Sequence, residues 1–190
     1  MSERGRWQER HHERPPRGAP STFVARHAAR LAARSPGARA LDVACGSGRH
    51  AMLLLEHGFR TIAFDHASAA CHRLAQEDPR VRTVIADAAS LPFRDASFAL
   101  VVQTRFLDRA IVPDLIRLLV RGGVLVVETF LVAQHDATGH PRRAFCLEPG
   151  ELEVLCRNAG VPVDVLERSE GLTGDGADAA HLAAIAVCKT

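Results

Sequence analysis

With 190 residues, 47% of them hydrophobic, the chain has the size of one domain with a core of its own. Its 24 basic and 22 acidic residues leave a formal charge of +2, which excludes a strong global pull toward nucleic acid or an anionic membrane. Five cysteines without any C-x-x-C spacing exclude a disulfide framework or zinc ribbon, and they fit a reducing cytoplasm. Met1 to Arg17 is polar and charged, unlike a signal peptide, and no later apolar run is long enough to cross a bilayer. Lys189 is the only lysine and tyrosine is absent, a composition expected of a GC-rich bacterial genome.

Pro15, Pro16, Gly18 and Pro20 break up the start, so residues 1 to 20 are expected to lack regular structure in part. Ser21 then caps a helix over Thr22 to Arg34, with Phe23, Val24, His27 and Leu31 at helical spacing. Strands and helices alternate from there. Ala40–Cys45 reads as a strand, Arg49–His57 as a helix ended by Gly58, and Arg60–Asp65 as a second strand. Ala67–Gln76 is a helix, Val81–Ala86 and Phe98–Gln103 are strands, and Ile111–Val120 is a helix. Gly123–Phe130 is a strand, residues 133 to 148 read as a linker-like loop, and Gly150–Asn158 is a helix. Val161–Leu166 and Leu182–Val187 close the chain as a strand pair, joined by the glycine-rich stretch Gly171 to Gly176. Regular alternation with apolar strands predicts a parallel sheet covered by helices on both faces; the final pair, joined only by a loop, is antiparallel.

The segment Ala-Leu-Asp-Val-Ala-Cys-Gly-Ser-Gly-Arg-His-Ala at 40 to 51 is a buried strand turning at once into a helix. Glycines at such a turn let backbone N–H groups approach a ligand near the positive end of a helix. Gly46-x-Gly48-x-x-Ala51 also matches the dinucleotide fingerprint. Asp65, at the end of the second strand, suits the ribose of any adenosine cofactor, so NAD and other nucleotides stay open on these features alone. Three others discriminate. Asp42 sits inside the first strand, where a carboxylate is costly to bury unless it orders the loop or faces a cation. Asp87 ends the third strand in D-A-A-S-L-P-F, where it can accept a bond from an adenine amino group. Finally, R-D-A-S-F-A-L-V-V follows at 94 to 102 and R-G-G-V-L-V-V-E at 121 to 128.

On these motifs, residues 39 to 188 resemble the class I S-adenosylmethionine-dependent methyltransferases. The style of G-S-G-R-H-A-M-L-L-L-E-H-G and of Glu128-Thr129-Phe130 is similar to small single-domain members such as the tellurite-resistance and thiopurine methyltransferases. The resemblance implies a Rossmann-like, doubly wound α/β fold with seven strands in the order 3-2-1-4-5-7-6, strand 7 antiparallel and helices on both faces. It implies S-adenosylmethionine as cofactor. Asp42, Ala44, Gly46, Ser47 and Gly48 would surround its methionine part, Asp65 its ribose hydroxyls, His66 its adenosine, and Asp87 and Ala88 its adenine. Gln103 would face the sulfonium and the acceptor. Trp7-Gln8-Glu9-Arg10 is similar to an N-terminal segment that closes over the cofactor in that subgroup, so residues 1 to 38 are a candidate cover for a catalytic core at 39 to 190, in one domain. A disordered arginine-rich tail is the alternative.

No catalytic group stands out. Gln103, Arg105 and Glu128, at the carboxyl ends of strands, are the candidates. Arg105 reads equally as a holder of an anionic substrate or a surface arginine, and Glu128 as a base, a substrate ligand or a structural acid. No Asn/Asp-Pro-Pro-Tyr motif follows Gln103, which argues against N-methylation of DNA. His50 reads as a packed histidine rather than a pocket residue, and Cys45 as packing rather than a nucleophile. His135, Asp136 and His140 lack tight ligand spacing, so no metal is expected. The expected acceptor is a small molecule, since neither the N-terminal segment nor the 133 to 148 loop is large or basic enough for a nucleic-acid groove. No membrane partner is expected, and the oligomeric state is open. The competing readings are a cofactor-binding module without catalysis and a nicotinamide-dependent oxidoreductase.

Overall fold

The strands of the computed structural model, which describes residues 18–174 and 179–190, are β1 (Arg39–Val43), β2 (Arg60–Asp65), β3 (Arg82–Ile85), β4 (Phe98–Thr104), β5 (Leu119–Phe130), β6 (Val163–Thr173) and β7 (Ala180–Lys189). They form one seven-stranded sheet in the order β3-β2-β1-β4-β5-β7-β6. β1 to β5 run parallel, and β7 is antiparallel to both β5 and β6. The expected order and the antiparallel seventh strand are both present. The order changes direction between β1 and β4, and such a crevice beyond the strand ends is where open α/β sheets bind ligands.

Alternate residues of the central strands feed two cores. Leu41 and Val43, Val101, and Leu125 and Val127 pack with Leu115 and Ile116 of α4 (Val112–Arg117) and with Leu152 and Cys156 of α6 (Glu151–Arg157). Ala40, Leu100, Val102, Val124 and Val126 pack with Phe23, Val24, Ala28 and Leu31 of α1 (Thr22–Arg34) and Leu54 of α2 (Arg49–Glu56). Ala63 of β2 meets Ala51 of α2 and Leu74 of α3 (Ser68–Glu77) in a third cluster. This two-faced burial is why the strands read as unbroken apolar runs. The edge strands are blunted instead: β3 is short, and β6 sets charged Asp164, Glu167, Arg168 and Glu170 along its length.

α1 is fixed at its start and near its middle. The Ser21 hydroxyl accepts the Val24 N–H at 3.3 Å, the expected cap. Further along, Arg26 donates to Glu167 of β6 at 2.7 Å, and the buried His27 ring lies 3.2 Å from the same carboxylate without hydrogen-bond alignment.

Several boundaries differ from those expected. Residues 133 to 148 are not a plain loop: α5 (Val132–Thr138) and a 3-10 turn at Arg143–Phe145 lie there. α5 buries no residue, so no apolar stripe announces it. The helix expected over Ile111–Val120 ends at Arg117, because Leu119 already pairs with Phe98 as the start of β5. β6 runs to Thr173, so Gly171 to Thr173 belong to a strand rather than to the glycine-rich connection. The expectations for Trp7 to Arg10, and for Asp175 and Gly176, fall outside the described residues. Among the described residues, no helix is long and apolar enough to cross a membrane.

Candidate cofactor and acceptor site

The turn from β1 into α2 is built on three left-handed residues: Ala44 (φ 55°), Gly46 (φ 51°) and Gly48 (φ 77°). Cys45 N–H donates to the Phe64 carbonyl at 3.0 Å, which ties the turn to β2, and Gly48 N–H donates to the Cys45 carbonyl at 2.8 Å. Gly48 has a reason to be glycine beyond its φ. A Cβ there would lie 2.6 Å from a Leu74 methyl of α3, so its bareness lets α3 pack against the turn. Gly48→Ala therefore combines a clash in a packed core with left-handed strain. It should lower stability by about 2–4 kcal/mol, measured by urea unfolding. Ala44 is the converse case, a side chain held in the left-handed region at about 1–2 kcal/mol. Ala44→Gly removes that strain but loosens the unfolded chain by about 0.5–1 kcal/mol, so a net gain of roughly 0.5–1 kcal/mol is expected in the same assay.

Asp65 holds this turn from β2. One carboxylate oxygen accepts Gly46 N–H at 2.8 Å and the other accepts Ala67 N–H at 2.8 Å. The partly exposed His66 ring lies 3.4 Å from the second oxygen. A carboxylate has about four acceptor positions, so these bonds leave room for ribose hydroxyls. Asp87 forms a tight turn after β3: its Oδ1 accepts Ala89 N–H at 3.0 Å and its carbonyl accepts Ser90 N–H at 3.0 Å. Ala86 N–H donates to the Asp65 carbonyl at 3.2 Å, so the ends of β2 and β3 are joined, and Ala88 is half-buried against the core.

Asp42 is 1% exposed, and its Oδ2 has no hydrogen-bond partner. Burial is the main cause that pushes its carboxyl up to about 7; the Asp65 charge adds to the rise, while the Ala51 backbone and the Arg49 charge oppose it. Gln103 is equally buried: its amide N–H donates to the Phe106 carbonyl at 3.0 Å, and its Oε1 is left without a partner. Asp42 pairs in register with Val102 and Gln103 with Val43, so these two unsatisfied acceptors leave opposite faces of the sheet near the ends of β1 and β4.

A second network crosses the same strand ends. Ser21 N–H donates to His50 Nε2 at 3.1 Å, and the Ser21 hydroxyl donates to Glu128 Oε2 at 2.7 Å. Since Nε2 accepts, the proton of the neutral ring is on Nδ1, which donates to the Thr104 hydroxyl at 3.0 Å. Burial lowers the His50 pKa to about 3, helped by the charges of Arg49 and Arg105. His50 is thus the packed, satisfied histidine expected. Glu128 is buried, and it is engaged by Ser21 through its side chain and by Arg105 N–H through its carbonyl at 2.8 Å. Arg105 is left-handed (φ 52°), and its guanidinium lies 5.1 Å from the centre of the Phe130 ring. Arg49, at the start of α2, is half-buried.

The fold thus brings Asp42, Asp65, Gln103, Arg105 and Glu128 to one edge of the sheet. Ser21 and Arg49 join them without having been foreseen as site residues. Ser21 carried only a capping signal, and its bond to Glu128 spans 107 positions. His135 bonds the Pro141 carbonyl through Nδ1 at 2.9 Å, and no group of side chains among the described residues could hold a metal ion.

A mostly parallel sheet with a glycine turn, acids on the first strands and a crevice at the β1/β4 reversal is the arrangement of an α/β protein that suits an adenosine cofactor. Residues 40–123 match the family described as "Methyltransferase domain". A probable S-adenosylmethionine-dependent methyltransferase of Mycolicibacterium smegmatis is 30% identical over 144 residues, covering 71% of this chain and 56% of the relative. Demethylmenaquinone methyltransferase of Clavibacter sepedonicus is 36% identical over 110 residues, 53% of this chain and 44% of that one. The chain spans about half the length of these curated relatives. In fold, it is similar to a chain in the complex between the Haloferax volcanii Trm112 methyltransferase activator and a putative methyltransferase, with a TM-score of 0.73, 18% identity, and coverage of 100% of this chain and 98% of that one. Residues 40–123 carry the methyltransferase domain, and these similarities support the class I S-adenosylmethionine-dependent methyltransferase superfamily, whose cofactor is S-adenosylmethionine.

The residues fit that group on a physical test. The unpartnered Asp42 Oδ2 is an acceptor for a cation or donor, and the turn Gly46–Gly48 offers backbone beside it.

Proposed function

We propose that the protein transfers a methyl group from S-adenosylmethionine to a small-molecule acceptor. The observation that carries this reading is the buried Asp42 carboxylate with an oxygen lacking any partner beside the glycine turn. Such a group is costly to keep unless a ligand completes it. Asp42, with Ala44 and Gly46 to Gly48, would surround the methionine part. Asp65 and His66 would take the ribose side, and Asp87 with Ala88 the adenine. Gln103 would face the acceptor.

When bound, the cofactor would supply an activated methyl group for transfer to the acceptor, leaving the bonding electron pair on its sulfur, and a protonated acceptor would release its proton to solvent. The protein's share is to orient and to exclude water. Asp65 keeps the glycine turn and the β2 end in one geometry. Ser21, through His50 and Glu128, holds the chain before β1 against the strand ends, which supports a covering role for that segment over a core at 39 to 190. Glu128 is occupied by Ser21, which favours positioning over proton abstraction. A small acceptor is supported by what can wall the crevice here, namely the segment before β1 and the stretch between β5 and α6.

Calorimetry with S-adenosylmethionine, S-adenosylhomocysteine and NADH, followed by an assay for S-adenosylhomocysteine release with thiols, phenols and metalloid oxyanions, tests the reading. Uptake of the two sulfur nucleosides and turnover of one acceptor are expected. Uptake of NADH alone would favour an oxidoreductase. Tight sulfur-nucleoside binding with no methylated acceptor in the panel would favour a module without catalysis.

A further inference from the structure

Arg105 is the first residue beyond β4, two positions after the unsatisfied Gln103, and β4 lies between β1 and β5 in the sheet. Its left-handed backbone is a conformation that costs a non-glycine residue about 1–2 kcal/mol, and the bond from its N–H to the Glu128 carbonyl holds it there. Its guanidinium stacks on Phe130, the last residue of β5. Stacking fixes the plane of the fork while leaving its edge N–H donors available. Among the described residues, no carboxylate lies within 4.0 Å of this guanidinium and it donates no hydrogen bond. Arg49 is in the same condition, although half-buried, and a Cβ on Gly18 would lie 4.0 Å from its Nη1. Burial, and next the charge of Arg105, hold the Arg49 guanidinium below its usual range. Two guanidiniums thus repel one another at the strand ends; the charges of Glu128 and Asp42 oppose this effect at Arg49 without outweighing it.

The geometry points to an acceptor that carries an oxyanion group, a carboxylate or a phosphate, gripped by the stacked Arg105 fork while Arg49 adds its charge from the α2 side. A planar fork with free edge donors matches two oxygens of such a group at once, which a solvated lysine would not do. The nucleophilic atom then sits on the far part of the same molecule. The inference rests on the methyltransferase reading, and its test separates the two.

Wild type is first titrated with S-adenosylhomocysteine in a calorimeter. Lack of uptake would overturn the methyltransferase reading itself. The complex is then titrated with 4-hydroxybenzoate, phenyl phosphate and the neutral 4-hydroxybenzyl alcohol, and the series is repeated with Arg105→Gln and Arg105→Lys. The expected result is binding of at least one anionic probe and at least tenfold weaker binding of the alcohol. Arg105→Gln should lose at least tenfold toward the anion and Arg105→Lys should recover part of it, while both variants keep wild-type affinity for S-adenosylhomocysteine. The preferred anion tells carboxylate from phosphate. With an identified acceptor, the loss should appear in KM more than in kcat. Equal binding of alcohol and anions, no binding of either anion, or undiminished anion binding by Arg105→Gln would overturn the inference.

Discussion

At pH 8 the cofactor-free Asp42→Asn protein should be more stable than wild type by about 2–4 kcal/mol, although it binds S-adenosylmethionine more weakly. Burial raises the folded carboxyl from 3.8 to about 7. The native state therefore keeps a proton that the unfolded chain releases above pH 4. Stability falls as pH rises from 4 to 7, by about 3–5 kcal/mol at 1.36 kcal/mol per unit. Asparagine has no such charge, though part of the gain is lost to an amide that is itself imperfectly paired. His50 works in the opposite direction. Its folded pKa is about 3 against an ordinary 6.5, so the unfolded chain takes up a proton the native state refuses, and stability is lost as pH falls from 6.5 toward 3. Between about pH 4 and 6.5 folding thus takes up one proton at Asp42 and releases one at His50, and the two slopes cancel. Urea titrations of three proteins from pH 4 to 8 check this. Relative to wild type, Asp42→Asn should gain stability with rising pH, and His50→Gln should lose it up to pH 6.5. Differences that do not change with pH would remove both groups from the account. The same Asn variant should bind S-adenosylmethionine about 10- to 100-fold more weakly in calorimetry, the size of a lost charge-assisted hydrogen bond.

Asp65→Ala is expected to damage both folding and binding. It removes both acceptors of the Gly46 and Ala67 N–H groups in a buried setting. With charge-assisted bonds of this kind, a loss of about 2–4 kcal/mol follows, or a Tm lower by roughly 5–15 °C for a chain this long. Freed from β2, the glycine turn also loses its preset geometry, so S-adenosylmethionine affinity should drop by a further 1–3 kcal/mol or so. Asp65→Asn keeps one acceptor oxygen and should fall between the two. Calorimetry and thermal melts on the same samples separate the effects. An unaltered melt would show that the two backbone bonds do not stabilise the turn, and unaltered affinity would remove Asp65 from the cofactor site.

The glycines of the turn show where local reading stops. Gly46 and Gly48 announce a sharp turn, and both are left-handed. That Gly48 must also make room for Leu74 is invisible in the motif, because α3 is folded against it only in three dimensions. Asp42 was conspicuous as an acid inside an apolar strand. Whether its charge would be satisfied depended on every group that packs around it, and one oxygen is not. α5 escaped notice because a short helix without a buried face leaves no periodic trace.

What the amino-acid order alone determined is local: apolar runs that must be strands, the 3.6-residue stripe of α1, and the sharp glycine turn, since each is a conflict or agreement between neighbours a few positions apart. Which polar groups meet was decided only by the folded sheet. Ser21 reaches Glu128 because α1 lies across β4 and β5, and Arg105 stacks on Phe130 because β4 and β5 end side by side. A hydrogen bond or a stacked ring requires contact within a few ångströms, and no pattern along the chain states which distant residues will have it.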